Sequence, residues 1–296
     1  MSQFQITYYR IYNRLENAIM PRNLETRRDT YPYVSCDSYA MRCEIAFPRK
    51  ISEKEFIESL SIIGEPQSIY IPSRFTAQAV KYFAQEKMSF RKIVIGDDDE
   101  TLDKNQEAEI SRISQKVYGI NVVEGESSII PLPIGLESPS YRSGGRMSDF
   151  RRRPKTDSVE RELSFLVAWN QSTNLLKREI AFRSFELVPK TFLVRKRIPA
   201  QVIHNLMRKT LFIPCPAGNG LDTHRVWEAI YLGSIPVVLR EDAFSALTGW
   251  PVLLVDSWHE VTSFSRKKLE ELYNEIIWEP ERVLEKSKEI LSEIQS

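Results

Sequence analysis

Apolar and polar residues alternate in two different periodic patterns along the chain from residue 31 onward. Short runs of consecutive apolar residues, typical of buried strands, are followed by longer segments in which apolar residues recur every three or four positions, as on one face of a helix. Strands that alternate with helices favour an α/β fold with parallel sheets. The pattern predicts strands at 67–71, 91–96, 116–123, 129–133, 163–169, 191–194, 211–213, 235–239 and 252–255, and helices at 52–62, 73–87, 103–114, 173–187, 201–209, 266–278 and 281–294.

The alternation is interrupted in the middle of the chain. Residues 141–160 contain two glycines and six basic residues, Arg142, Arg146, Arg151, Arg152, Arg153 and Lys155. Such a run is usually a solvated linker or loop, and the alternative is a surface for an anionic lipid or a phosphorylated acceptor. We therefore predict an N-terminal α/β domain (1–140, with 1–30 as an extension), this basic linker (141–160), a C-terminal α/β domain (161–280) and a last helix (281–296).

The most informative segment is residues 211–239, which read LFIPCPAGNGLDTHRVWEAIYLGSIPVVL. The pattern predicts a strand, a glycine loop, a helix, a stop at Gly233 and a second strand. Gly218 and Gly220 permit a positive φ and a close approach of the backbone to a ligand. Asp222 is a good N-cap residue for the helix.

The predicted helix is apolar around nearly its whole circumference, so it should be buried. Its first turns nevertheless carry Asp222, His224, Arg225 and Glu228, and charges in a buried element need partners. Because a helix N-terminus favours anions, this arrangement is typical of a site for a phosphate-bearing ligand.

Two interpretations of the glycine loop remain open at this point. In the first, Gly218, Asn219 and Gly220 bring backbone donors to a phosphate, Arg225 adds a bidentate charge, and Glu228 accepts hydrogen bonds from a ribose. In the second, the loop is only a tight turn, and Arg225 and Glu228 form an ion pair within the helix. The segment is neither a Walker loop nor a dinucleotide fingerprint, since it has no Gly-Lys-Ser/Thr and no third glycine.

An acidic cluster, Asp97 to Asp99, follows the predicted strand 91–96. Carboxylates at a strand end could bind a divalent metal, or one could act as a general base toward a hydroxyl. A solvated acidic loop is the simpler alternative. His224 has two comparable interpretations, a catalytic or phosphate-contacting histidine and a packed structural one.

A second polar segment, NQSTNLLKR, lies at the end of the predicted strand 163–169. Asn170, Thr173 and Asn174 could contact a ligand, and Lys177 or Arg178 could reach a diphosphate. The alternative is a cluster that only caps the following helix.

Composition narrows the classes of protein. The chain of 296 residues is 42% hydrophobic and 27% charged with a net charge of +1, which gives no general attraction to nucleic acid. The sequence has no bilayer-spanning apolar run and no signal-peptide core. Its three cysteines form no disulfide framework, so a reducing cytosol is the simplest location. Cysteines and histidines show no ligand spacing, so we expect no zinc site.

Together these segments resemble one family. CPAGNGLDTHRVWEAIYLGSIPVV is similar to the C-terminal signature of exostosin-like glycosyltransferases and related bacterial polysaccharide transferases. LVAWNQSTNLLKR, IIPLPIGLES and IVIGDDDE resemble further segments of that group. The resemblance covers about residues 90–260 and is weak before them.

The resemblance implies an α/β, GT-B-like fold with two Rossmann-like domains facing a cleft, and a last helix that crosses back to the first domain. It also implies metal-independent transfer of a sugar from a nucleotide sugar to a hydroxyl of a glycan or lipid-linked acceptor, in the cytoplasm or peripherally at the inner membrane face. A non-catalytic sugar or nucleotide-binding module, or a hydrolase or epimerase, is the alternative. Carried over from that group, Gly218, Asn219 and Gly220 line the diphosphate, Arg225 neutralises it and Glu228 takes the ribose, while Asp99 is the candidate for the base that such enzymes usually draw from the N-terminal domain. Together with the candidates read from the residues themselves, the predicted site has Asp99 and His224 as catalytic, and Asn170, Thr173, Asn174, Arg178, Gly218, Asn219, Gly220, Asp222, Thr223, Arg225 and Glu228 as donor-binding.

Overall fold

The computed structural model describes residues 26–99, 102–122, 127–141 and 146–296. Predictions made for residues 1–25 and for Arg142 lie outside these ranges. Within them, ten strands form two five-stranded sheets in which every pairing is parallel. The predicted α/β, GT-B-like arrangement of two Rossmann-like sheets is confirmed.

The strands are β1 (Ile45–Ala46), β2 (Ser68–Pro72), β3 (Phe90–Gly96), β4 (Ser114–Gly119), β5 (Ile130–Pro131), β6 (Leu163–Val167), β7 (Thr191–Leu193), β8 (Thr210–Pro214), β9 (Ile235–Leu239) and β10 (Leu253–Val255). The N-terminal sheet has the order β1-β2-β3-β4-β5, and the C-terminal sheet the order β7-β6-β8-β9-β10. In the second sheet the chain therefore builds outward in one direction from β6 to β7 and in the opposite direction from β8 onward, whereas the first sheet is built in one direction throughout.

Most of the α-helices start and stop close to where the apolar periodicity and the capping residues predict. Ser52 and Asp103 each form a capping box at a helix start, and Gly233, with φ +75°, ends the helix of the glycine-loop segment. The helices are Cys36–Ala40, Glu53–Leu60, Thr76–Gln85, Lys104–Ile113, Met147–Arg151, Leu175–Phe185, Ala200–Met207, His224–Tyr231, Trp258–Thr262, Arg266–Ile276 and Pro280–Gln295.

Residues 141–160 are not loop throughout, as far as they are described. They contain the helix Met147–Arg151 and the 3₁₀ turn Ser158–Glu160, and Phe150 is buried against Tyr33 and His204. A five-residue helix is too short to show a period of three or four, so the sequence pattern did not reveal it.

One hydrophobic core joins the two halves, which we call the central core. It combines Val94 and Tyr118 of the first sheet, Leu166 and Trp227 of the second half, and Ile294 of the last helix. That helix, Pro280–Gln295, also accepts a hydrogen bond from Tyr118 at Glu293, while Lys92 donates to the carbonyl oxygen of Ile294. The helix thus holds the inner face of the N-terminal sheet against the C-terminal half.

No helix among residues 26–99, 102–122, 127–141 and 146–296 combines the length and apolar character that a membrane crossing needs.

Candidate functional site

A cleft of about 510 Å³ lies between the two halves, within the size range of small-molecule sites. Its C-terminal wall follows the ends of β6 and β8, the strands between which the sheet order reverses. The carboxyl ends of parallel strands diverge at such a point and leave a crevice, where ligands of open α/β sheets bind. The topology of the second sheet therefore accounts for the position of the cleft.

The cleft brings together nearly all the residues that the sequence predicts for the site. It is lined by Asp99, Asn170, Thr173, Arg178, Gly218, Asn219, Gly220, Asp222, Thr223, His224, Arg225 and Glu228. Asn174 is not among the lining residues: its side chain donates to the carbonyl of Gly218 and accepts from the amide of Lys177. Asn174 therefore supports the glycine loop from behind. The functional roles of all these residues stay predictions.

Arg178 connects the two strand ends of the C-terminal wall. Its Nη1 donates to the carbonyl of Asn170 at 2.5 Å, and its Nε donates to the carbonyl of Ala217 at 3.2 Å. The residue is 8% exposed, and no carboxylate among the described residues lies within ion-pair distance of it. Burial and the nearby charge of Arg225 lower the pKa of Arg178. The wall therefore holds a buried cation without a paired anion, which is what an anionic ligand would supply.

The glycine loop uses its glycines for close approach of the backbone and not for a positive φ. Neither Gly218 nor Gly220 is among the described residues with positive φ. A Cβ on Gly218 would lie 2.7 Å from Nη2 of Arg178, and one on Gly220 would lie 2.9 Å from Oδ1 of Asn121. The loop thus fits between the Arg178 guanidinium and a side chain of the N-terminal half.

Asp222 is not the N-cap residue that the sequence predicts. The helix begins at His224, and its N-cap residue is Thr223, whose side chain makes no capping bond. The carboxylate of Asp222 instead accepts from Nε1 of Trp227 and from the amide of Ile134, both at 2.7 Å. Burial raises the pKa of Asp222 to about 7, against the effect of these donors. Asp222 therefore joins the two halves at the cleft.

Arg225 and Glu228 form the ion pair of the second interpretation, with Nη1 and Oε2 2.6 Å apart. Glu228 is only 4% exposed. Burial alone would raise the pKa of Glu228, but Arg225 and His204 hold it below its usual value. The ion pair does not exclude ligand binding, since both side chains line the cleft.

His224 contacts the opposite half of the molecule. Its Nδ1 lies 2.8 Å from the carbonyl oxygen of Gly135, so this nitrogen carries a proton, and its Nε2 lies 3.6 Å from Oε2 of Glu137. Burial would lower the pKa of His224, but Glu137 and the Gly135 carbonyl raise it. These neighbours therefore stabilise the cationic form of the ring relative to its neutral form.

The N-terminal wall contains a buried cluster of two aspartates and two arginines. Asp97 accepts two hydrogen bonds from Arg27 and lies 3.6 Å from Arg49, and Asp37 accepts from both arginines. Burial would raise the pKa of Asp97, but Arg27 and Arg49 lower it. Because its charges are paired internally, we call this cluster the neutral cluster of the N-terminal wall.

The three consecutive aspartates thus have three different environments. Asp97 belongs to the neutral cluster, and Asp98 forms a half-exposed ion pair with Arg74 at 2.9 Å. Asp99 is exposed, lines the cleft, and makes no hydrogen bond or ion pair with a described residue, although its charge acts on Arg178. No group of three or more His, Cys, Asp or Glu side chains in the described ranges is placed to bind a metal ion.

Sequence reasoning missed several residues of the cleft. Glu137 and Trp169 line it, and so does Arg49. Two of them stood beside recognisable signals: Glu137 follows Gly135 in the segment IIPLPIGLES, and Trp169 follows the end of β6. Arg49 gave no such signal, because its role depends on Asp37 and Asp97, which are distant in sequence.

Comparison with known proteins yields a distant likeness. No family model matches the chain, and no curated protein matches it. A solved structure of a UDP-N-acetylglucosamine 2-epimerase is similar with a TM-score of 0.39 and 13% identity, over 81% of this chain and 74% of that chain. A likeness at this level says nothing about substrate or reaction. The resemblance to exostosin-like transferases therefore stays a prediction.

Proposed function

We propose that the protein is a glycosyltransferase that moves a sugar from a nucleotide sugar to a hydroxyl of a glycan or lipid-linked acceptor. The observation that carries the proposal is the cleft wall at the ends of β6 and β8. There the buried Arg178, the partly exposed Arg225 and the N-terminus of the helix His224–Tyr231 all face one cavity. Three positive groups that converge on one crevice suit a diphosphate.

The same groups suit the leaving group of sugar transfer. Negative charge builds up on the nucleotide diphosphate as its bond to the anomeric carbon breaks, and preorganised cations stabilise that charge most in the transition state. Arg225 and the helix N-terminus neutralise the departing diphosphate, while Arg178 holds the two loops that surround it. Glu228 receives the ribose hydroxyls at the inner end of this wall.

Asp99 is the proposed general base. It lies on the opposite wall, exposed to the cleft and without a described partner, so its carboxylate is available to an acceptor hydroxyl. A general base must come within hydrogen-bond reach of the proton that it removes. We propose that the acceptor enters from the N-terminal wall, loses its proton to Asp99 and attacks the anomeric carbon. His224 is the second catalytic candidate, as a cation beside the phosphates.

Arg225→Ala tests the donor site directly. We expect turnover to fall by about 10²- to 10³-fold, the usual effect of removing one charge-stabilising donor from a transition state. The measurement is release of nucleoside diphosphate across a panel of sugar nucleotides. Arg183→Ala is the matched control, because Arg183 is exposed and its ion pair with Glu179 lies on the outside of a neighbouring helix. Near-normal turnover of Arg225→Ala would refute the assignment.

The same donor screen separates the other possible functions. Diphosphate release that needs an acceptor indicates transfer, and release into water alone indicates a hydrolase. A changed sugar on an intact nucleotide indicates an epimerase. Binding of nucleoside diphosphates without any turnover indicates a non-catalytic binding module.

A further inference from the structure

His204 is a buried histidine behind the cleft whose two ring nitrogens both face carboxylates. Nδ1 lies 3.0 Å from Oδ2 of Asp149, and Nε2 lies 3.8 Å from Oε1 of Glu228. The residue is 1% exposed, and its ring packs on Phe150 with the ring centroids 4.8 Å apart. His204 does not line the cleft, but it contacts a residue that does.

This geometry matches an imidazolium. A neutral imidazole has one N–H donor, whereas two carboxylates on opposite nitrogens call for a donor at each. Burial alone would lower the pKa of His204, but the hydrogen bond to Asp149 and the nearby negative charge of Glu228 raise it. Two arginines contact these partners of His204: Arg225 pairs with Glu228, and Arg208 donates to the backbone carbonyl of Asp149. His204 is therefore the positive group between two buried or half-buried carboxylates.

Anion binding in the cleft would disturb the balance of these charges. Glu228 now has Arg225 as its close partner, and Arg225, which lines the cleft, is also the cation proposed to bind the diphosphate. If Arg225 turned to the ligand, a carboxylate that is 4% exposed would lose its main counter-ion. A buried charge without a partner is strongly unfavourable. Release of Arg225 therefore needs a second cation at Glu228.

We propose that protonated His204 is the reserve counter-ion of Glu228, and that it frees Arg225 to bind an anion in the cleft. The proposal rests on the proposed function only in requiring that the cleft binds a diphosphate. His204 acts as a positioning residue through Glu228 and does not touch the ligand. Binding of the anion should then tighten the contact between His204 and Glu228. The affinity for the anion should fall once His204 loses its proton.

The direct test follows the ring signals of His204 by NMR, with inorganic pyrophosphate as the probe. The signals are assigned by comparison with His204→Gln, and those of His224, which titrates beside the cleft, are followed separately. We expect saturating pyrophosphate to raise the pKa of His204. An unchanged pKa of His204 in a protein that binds pyrophosphate would overturn the proposal. A protein that binds no pyrophosphate would refute the diphosphate site as well.

A double-mutant cycle gives an independent test. His204→Gln should weaken pyrophosphate binding about tenfold in the parent protein, but less than about twofold in Glu228→Gln, where no carboxylate needs compensation. His259→Gln, at an exposed histidine, is the matched control for loss of an imidazole. Should His204→Gln fold poorly, Asp149→Asn removes the other partner of the ring, and it should lower the pKa of His204 and weaken binding. If His204→Gln weakened pyrophosphate binding equally in the parent protein and in Glu228→Gln, the proposal would be contradicted.

Discussion

The two walls of the cleft handle charge in opposite ways. In the N-terminal wall, Asp97 and Asp37 are buried together with Arg27 and Arg49, so the charges cancel within the protein. In the C-terminal wall, Arg225 pairs with Glu228, but the buried Arg178 donates to backbone carbonyls and has no carboxylate of the described residues within ion-pair distance. A cluster that neutralises itself stabilises the fold, whereas a cation that lacks an anion is ready for one from outside. This difference supports the proposal that a diphosphate binds at the C-terminal wall.

The largest expected effect concerns the neutral cluster. Asp97→Asn leaves Arg27 without its main partner, and breaking a buried ion pair from one side costs about 3–5 kcal/mol of the free energy of unfolding. Urea unfolding measures it. Asp98→Asn is the control, since its half-exposed pair with Arg74 should contribute less than about 1 kcal/mol. Similar losses of unfolding free energy in both variants would show that the neutral cluster stabilises the fold no more than an exposed ion pair does.

The second prediction compares the buried aspartates of the two walls by their pH dependence. The pKa of Asp222 is raised to about 7 in the folded protein, against roughly 3.9 in an unfolded chain. The carboxyl group of Asp222 therefore contributes fully to the free energy of unfolding below about pH 4. That contribution is lost as the pH rises toward 7, by up to about 4 kcal/mol. The lowered pKa of Asp97 gives the opposite sign, a contribution present above about pH 4 and lost in acid.

Unfolding free energies of the parent protein, Asp222→Asn and Asp97→Asn between about pH 2 and 8 would check both signs. The advantage of the parent over Asp97→Asn should be kept at neutral pH and shrink in acid. Its advantage over Asp222→Asn should shrink as the pH rises. Two curves of the same slope would contradict the difference between the walls.

The smallest expected effect is on affinity. Arg178→Ala should weaken the binding of inorganic pyrophosphate by about 10- to 100-fold, the usual value of a hydrogen bond to a charged group, with Arg183→Ala as the control on the same helix. Titration calorimetry measures the affinity, and thermal unfolding checks that the loops of β6 and β8 remain in place. Unchanged affinity would mean that Arg178 only ties the loops together.

Much of this arrangement could be predicted from the sequence, because it follows from local rules. The strand 235–239 lies where it was predicted, and the last helix differs from its prediction by one residue at each end, since periodicity and stop signals act over a few residues. The helical period also places Arg225 and Glu228 on one helix face. The ion pair that the structure contains was one of the two interpretations of this spacing.

What the sequence did not reveal depends on contacts between distant residues. Asp222 has the residue type of a helix cap, yet the amide of Ile134 and the ring of Trp227 bind its carboxylate. Ser73 begins the predicted helix 73–87 and is also of a residue type that caps helices, but its hydroxyl donates to the carbonyl of Gly96 at the end of β3. In both cases a tertiary partner competes with the local one, and propensity alone cannot show which wins.

The last helix has a consequence for the order in which the chain folds during synthesis. Lys92 of β3 finds its acceptor at Ile294, 202 residues later. At the usual pace of a ribosome this separation takes about 10–40 s. Until then the inner face of the N-terminal sheet, with Val94 and Tyr118, lacks the helix that covers it in the finished protein. The N-terminal sheet is thus synthesised first, but its inner face is covered only after the last helix has been synthesised.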